Sequence, residues 1–247
     1  MTLRTTEHGD GEPLILLHGG FGAGELFEPI LPALSAQRRV IAVDLPGHGG
    51  SPDPGRPLRP ESFADDIAAL LTEPTDVMGY SLGGVTALRL AIQHPGLVRR
   101  LVLVSVAARR SGSHPEVLAA MDAMAPEFAE PMKQSPNYTL YTRLAPKDDW
   151  ALLVERTAEL LKVDYDWTAE VAGITAPTLL VYADQDSITP AHIVEFYGLL
   201  GGGLRDASWD RSQRAPNQLA ILPGTTHYDV ADSPALAPTV LGFLGAR

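Results

Sequence analysis

Ser81 stands between Gly79 and Gly83, directly after the apolar pair Val77-Met78 and directly before a helix-like run at 82–93. A G-x-S-x-G spacing carries meaning when a strand feeds a helix through a very sharp turn, because the serine hydroxyl then projects alone above the sheet edge. Gly79 and Gly83 lack side chains, so the two arms of such a turn can pass closely. The new helix points its amino end, with unpaired N–H groups and the positive end of its dipole, at charge developing on Ser81. This is the placement of a nucleophile for acyl transfer. In a chain with 23 glycines the pentapeptide alone is a weak signal, and the remaining parts of a mechanism have to be found elsewhere.

A serine hydroxyl is a weak nucleophile near neutral pH and needs a base within hydrogen-bond reach. Seven histidines are available. His227 ends the loop 222–227, which follows an apolar stretch and therefore lies at the carboxyl end of the sheet, the side Ser81 occupies. His8 is near a terminus, His94 closes a helix at the opposite end, and His114 and His192 read as helical surface. His18 and His48 sit in tight turns, where an imidazole braces backbone. His227 is therefore the expected base. It needs a carboxylate to hold its tautomer and stabilise the imidazolium. Asp184 and Asp186 both follow the apolar run 178–182, and because they alternate only one can readily point at His227. Asp186 lies further into the loop ahead of Pro190 and is the expected acid, leaving Asp184 as a turn former.

The tetrahedral intermediate of acyl transfer also needs donors for its oxyanion, each worth roughly 3–4 kcal/mol when removed by mutation. The backbone N–H of Leu82, next after the nucleophile, supplies one. The loop His18-Gly19-Gly20-Phe21-Gly22 is suited to supply the second, from Gly20 first and Phe21 second. A Gly-rich loop after a strand can also cradle phosphate, but neither G-x-G-x-x-G nor a Gly-Lys-Ser/Thr element occurs.

These loops have to be held by a sheet. Short apolar runs at 14–17, 40–43, 75–78, 101–104, 178–182 and 219–222 alternate with helical patterns at 61–71, 82–93, 190–200 and 234–243, the arrangement of a mostly parallel sheet flanked by helices. Between the runs at 101–104 and 178–182 lie roughly 70 residues, far more than the dozen or so a crossover requires. This connection leaves the carboxyl end of a strand, where open α/β sheets bind ligands. Its helical patterns at 114–125 and 148–162 suggest an inserted helical cap over 106–172, with residues 1–105 and 173–247 as the core. Met121, Met124, Phe128, Tyr138, Tyr141 and Trp150 of this segment suit a hydrophobic substrate pocket, or else glue the cap helices to one another. The segment 201–216, with Trp209, joins a helix to a strand at the amino end of the sheet and is expected to pack locally or meet another subunit.

With 45% hydrophobic and 20% charged residues the chain can bury a substantial core. A net charge of −11 and a pI near 5.0 argue against nucleic-acid and anionic-membrane partners and favour neutral or weakly charged small molecules. Cysteine is absent, which removes disulfides, thiolate metal sites and a cysteine nucleophile together. Residues 1–11 are polar, with no apolar core of a signal peptide, and no run approaches membrane-spanning length. A cytoplasmic enzyme without metal or cofactor, acting on a small-molecule substrate and compatible with a homo-oligomer, is the expectation.

Taken together the motifs resemble the α/β-hydrolase fold superfamily, in its serine esterase-like form with a helical lid. The order Ser81, Asp186, His227 is the family's order. His18-Gly19-Gly20 resembles its oxyanion loop, 44–51 its structural turn after the following strand, 186–190 its acid loop and 224–227 its base loop. The match spans 14–243 outside the lid. The resemblance implies a sheet of eight strands, yet residues 1–12 leave room for one short strand, so about seven strands are expected. Serine at the elbow implies neither the haloalkane dehalogenase and epoxide hydrolase branches, which carry aspartate, nor the dienelactone type, which carries cysteine. It implies hydrolysis of a small to medium, apolar carboxylic ester or lactone through an acyl-enzyme. Alternatives on the same triad are a C–C bond hydrolase and a cofactor-free perhydrolase. From another class, a hydrolase-like small-molecule receptor can retain a full triad.

Overall fold

The structure is a computed structural model that describes residues 2–145 and 149–245. Seven strands form one sheet: β1 Thr5–His8, β2 Pro13–Leu17, β3 Arg39–Val43, β4 Thr75–Tyr80, β5 Val98–Val104, β6 Thr178–Gln185 and β7 Gln218–Thr226, in the order β1-β3-β2-β4-β5-β6-β7. Only β1 runs antiparallel, against β3; the other pairs are parallel. The expected single short strand at the front is β1. The helices are α1 Leu31–Ser35, α2 Pro60–Ala68, α3 Leu82–Gln93, α4 Pro115–Ala123, α5 Ala129–Met132, α6 Pro136–Leu144, α7 Trp150–Leu161, α8 Thr168–Val171, α9 Pro190–Leu199 and α10 Leu236–Leu244. The helical pattern expected to begin at Asp148 has its first residue outside the described residues, and α7 starts at Trp150.

Successive strand residues point to opposite faces, and both faces are covered. Ile15, Leu17, Val77, Leu101 and Leu103 face a core completed by Phe63 and Ile67 of α2, Ala87 and Leu88 of α3 and Phe196 of α9. Leu14, Leu16, Met78, Val102 and Val104 face the other core, with Leu34 of α1 and Leu236, Val240 and Phe243 of α10. All six residues of β4 are buried, as a strand covered on both sides requires. The chain passes from β2 outward to β3 and then returns to lay β4 on the other side of β2. The crevice for ligands in open α/β sheets lies at such a reversal, at the carboxyl strand ends.

Helices α4 to α8 all fall in the connection between β5 and β6. Ala129, Tyr141, Trp150, Leu153 and Val154 form a small core there, packed against Met132, Tyr138 and Phe21. The segment 201–216 contains no helix or strand, and Trp209 is 95% exposed, outside both main cores. Among the described residues no helix is long and apolar enough to cross a membrane.

Candidate active site

The turn from β4 into α3 depends on its glycines. A Cβ at Gly79 would overlap the carbonyl of Gly83, and a Cβ at Gly83 would overlap the carbonyl oxygens of Leu17 and His18. Gly84, which the sequence pattern did not mark, is pressed against Val106 in the same way. Between them Ser81 adopts φ 51° and ψ −118°, a conformation that costs a non-glycine residue of order 1–3 kcal/mol. Its N–H donates to the carbonyl of Val104 at 3.0 Å and its carbonyl accepts from Val85 N at 2.9 Å, so both ends of the strained residue are tied down. The hydroxyl is left to project from the turn.

His227 follows directly on β7, and its Nε2 lies 3.1 Å from Ser81 Oγ. For Ser81 to donate its proton, Nε2 must be the bare nitrogen and Nδ1 must carry the hydrogen. Nδ1 lies 3.3 Å from Asp186 Oδ1. The loop carrying His227 is held from below by Tyr80, whose hydroxyl donates to the His227 carbonyl at 2.6 Å. Burial pushes the Tyr80 phenol well above its usual range, with nearby Asp186 adding to the shift, so the phenol stays a donor. The Asp186 side chain is 1% exposed, that of His227 15%. Asp186 Oδ2 accepts from Ser105 Oγ at 2.5 Å and Ala183 N at 2.9 Å, and Oδ1 from Ile188 N at 3.2 Å. Burial works to raise the Asp186 carboxyl, but bonds from His227, Ser105 and Ala183 outweigh it and hold it below the ordinary carboxylate range.

Asp184 points elsewhere. Its Oδ1 accepts from Thr225 N at 3.0 Å and braces the turn ahead of His227.

The loop after β2 is set by His18, which is fully buried. Burial pushes this imidazole below its usual range, against the pull of Asp44, so it is neutral. Its Nε2 accepts from Leu45 N at 3.0 Å, which leaves Nδ1–H to donate to the Gly19 carbonyl at 2.7 Å. Gly22 N donates to the same carbonyl at 3.1 Å, closing a tight turn in which Phe21 takes φ 60°. This turn lies against the elbow: a Cβ on Gly19 would stand 3.4 Å from Ser81 Cβ, and one on Gly20 3.9 Å from Leu82 Cδ2. Leu82 opens α3, so its N–H has no partner within the helix. The turn at 19–22 thus packs against the elbow at Ser81 and Leu82. The turn 44–51 is structural: Asp44 accepts from Gly24 N at 2.7 Å, from Gly50 N at 2.8 Å and from Arg4 Nη1 at 2.8 Å.

The six residues expected to line a pocket are not gathered in one place. Tyr138 and Tyr141 pack on Trp150 with ring centroids 5.2 and 5.3 Å away, and Trp150 Nε1–H donates to the Ala129 carbonyl at 2.9 Å. Met121 and Met124 are half-buried at α4, and Phe128 is exposed. From the core, Phe21 reaches the cluster, 5.9 Å from Trp150 between ring centroids. Sequence reasoning missed Ser105, Ser187 and Tyr80 as supports of the site. Ser187 Oγ lies 2.8 Å from His227 Nδ1. Position at carboxyl strand ends is the one signal they carry. His192, expected at the surface, is buried: its Nε2 accepts from Ala108 N at 3.0 Å and its Nδ1 pairs with Glu195 at 3.0 Å. Among the described residues no group of three histidines and carboxylates is placed to hold a metal ion.

A sequence model of the alpha/beta hydrolase family matches residues 14–239. The chain belongs to the alpha/beta hydrolase family. The pimeloyl-[acyl-carrier protein] methyl ester esterase of Neisseria meningitidis serogroup C is 33% identical over 225 residues, covering 81% of this chain and 86% of that one. The protein of that name in Aeromonas hydrophila is 32% identical over 213 residues, covering 77% and 83%. Two solved structures share the fold of this hydrolase. E-2-(acetamidomethylene)succinate hydrolase superposes with a TM-score of 0.76 at 23% identity, over 99% of this chain and 95% of that one. The enol-lactonase from Burkholderia xenovorans LB400 gives 0.74 at 22%, over 99% and 96%.

Proposed function

We propose that Ser81, His227 and Asp186 form the working triad of this hydrolase and that its substrate is a small to medium, largely apolar carboxylic ester, methyl esters of acyl chains foremost. The coarse activity is that of a carboxylic-ester hydrolase. The observation that carries the triad is the unbroken path from Ser81 Oγ through His227 to Asp186, at 3.1 and 3.3 Å, built from three separate strand ends. The methyl ester preference is supported by the names of the relatives at about one third identity.

In the forward step Ser81 Oγ attacks the ester carbonyl carbon as its proton passes to His227 Nε2. The carbonyl oxygen takes the negative charge and is met by the N–H of Leu82 and of Gly20 or Phe21. Collapse of the intermediate breaks the bond to the alcohol oxygen, which leaves with the proton from His227. Water then attacks the acyl-enzyme by the same route, giving the carboxylic acid and free Ser81. Asp186, kept ionised by its donors, stabilises the imidazolium in both halves.

The test is a panel of p-nitrophenyl esters of increasing acyl length, the matching methyl esters and simple lactones, run on wild type and Ser81→Ala. The expectation is many turnovers with short and medium acyl chains and a loss of about 10⁴-fold or more in Ser81→Ala, with unchanged unfolding. Full activity in Ser81→Ala removes the assignment. A single acylation without turnover in wild type points instead to a small-molecule receptor.

A further inference from the structure

The hydrogen on His227 Nδ1 has two acceptors, and the nearer one is not the carboxylate. Ser187 Oγ lies 2.8 Å from Nδ1, whereas Asp186 Oδ1 lies 3.3 Å away. Ser187 Oγ is itself 3.5 Å from that same Oδ1. A neutral imidazole with bare Nε2 has one hydrogen to give, and a hydroxyl can accept it while turning its own hydrogen to the carboxylate. Ser187 is buried, and its carbonyl accepts from His114 N at 2.9 Å, so the residue is fixed by main chain as well as by its side chain.

Resting on the triad reading above, we propose that Ser187 is a positioning residue which, jointly with Asp186, holds His227 in the tautomer with hydrogen on Nδ1. In the resting enzyme the hydrogen bond runs from Nδ1–H to Ser187 Oγ and from its hydroxyl to Asp186 Oδ1. When His227 takes the proton of Ser81, no heavy atom has to move: the imidazolium already stands beside the carboxylate, and Ser187 keeps the ring plane. The triad therefore has an acid for charge and a hydroxyl for tautomer, where a two-acceptor arrangement shares work that one aspartate otherwise does alone.

The consequence is an unequal dependence on the two side chains, which a double-mutant cycle reads directly. kcat and KM are measured on p-nitrophenyl butyrate for wild type, Ser187→Ala, Asp186→Asn, the double variant and Ser187→Thr, each with its unfolding midpoint. Ser187→Ala alone is expected to lower kcat by about 3- to 10-fold with KM unchanged, because Asp186 still accepts from Nδ1. Asp186→Asn is expected to lose less than the about 10⁴-fold that follows when a triad's tautomer is lost. On that background Ser187→Ala is expected to cost about ten times more than it does in wild type. Ser187→Thr, which keeps the hydroxyl, is expected to restore kcat to within about 3-fold of wild type. An equal factor from Ser187→Ala in both backgrounds overturns the proposal. So does a Ser187→Thr that unfolds like wild type yet loses as much kcat as Ser187→Ala. Ser81→Ala in the same assay separates the two readings: if it stays active the triad itself fails, whereas a flat cycle beside an inactive Ser81→Ala removes only the role of Ser187.

Discussion

The carboxyl ends of the central strands and the long connection between β5 and β6 are built in opposite ways. At the strand ends backbone decides: every residue of β4 is buried, Ser81 is forced into its turn by glycines that touch neighbouring main chain, and Asp186 is ringed by fixed donors. In the connection side chains decide. Helix α4 buries none of its residues, the aromatics around Trp150 form a small core, and Leu160, Trp167 and Val171 pack into the sheet core. The connection is joined to the core by these last three residues and by the Arg156–Asp53 ion pair, and two further contacts reach the loops of the site. Its root pairs with the acid loop, where Thr189 N donates to the Gly112 carbonyl and His114 N to the Ser187 carbonyl, both at 2.9 Å. Its small core receives Phe21 from the turn after β2. Ser81, His227 and Asp186 are thus placed by the strand ends, and the connection touches the same loops from outside.

The sharpest way to break this contrast is Trp150→Ala. Truncating a buried tryptophan costs about 3–5 kcal/mol, and here the loss is expected to stay local. Hydrogen exchange should speed up in α6 and α7 while β4 and β5 keep their protection. Equal loosening of the sheet would show that the two regions are one cooperative unit. Gly83→Ala probes the other side. Its methyl meets the Leu17 and His18 carbonyls, so about 1–3 kcal/mol of global stability should go, despite the better helix propensity of alanine. Urea unfolding measures this, and a more stable variant would mean the elbow is not backbone-limited.

A third test uses pH. Burial holds His48 down to about 3, with His18 nearby adding to the effect, and burial also holds His18 down. Unfolded histidine takes a proton near 6.5. Because the folded values are depressed, the unfolded chain gains protons first, and stability present above pH 6.5 is lost as pH falls. The slope is at most about 1.4 kcal/mol per pH unit for each residue. Urea midpoints between pH 7 and 5 should therefore fall in wild type, and His48→Gln should flatten that slope whatever its effect at pH 7. An unchanged slope would remove His48 from the account. The smallest effect belongs to Asp184→Asn, expected to change kcat/KM by no more than about 3-fold, since Asp184 braces Thr225 rather than His227. A collapse of kcat/KM would reassign the acid.

What was legible in the chain follows the same division. The elbow, the order of the three triad residues, the bracing roles of His18 and His48 and the single front strand could be read because each depends on local residue type. The apolar pattern ends at 222, but strand β7 continues to Thr226 through Pro223 and Gly224. An edge strand tolerates a proline that a central one does not. Helices α5 and α8, four residues each, are too short to show a period. Local pattern puts His192 at the surface, but its burial depends on Gly112, some 80 residues away, whose missing side chain leaves room for the ring. Ser105 and Ser187 were not seen as partners of the site because a serine near a strand end has no pattern of its own. Their roles arise only when three strand ends meet.

The contact between Phe21 and Trp150 bears on how this protein can be remodelled. A graft that replaced the β5–β6 connection with one from a relative, to change which acyl group fits, would also remove the surface on which the Phe21 ring rests. Residue 21 and the incoming helices would have to be exchanged as a set. A swap of that segment would therefore also reach, through this aromatic ring, the turn that lies against Ser81.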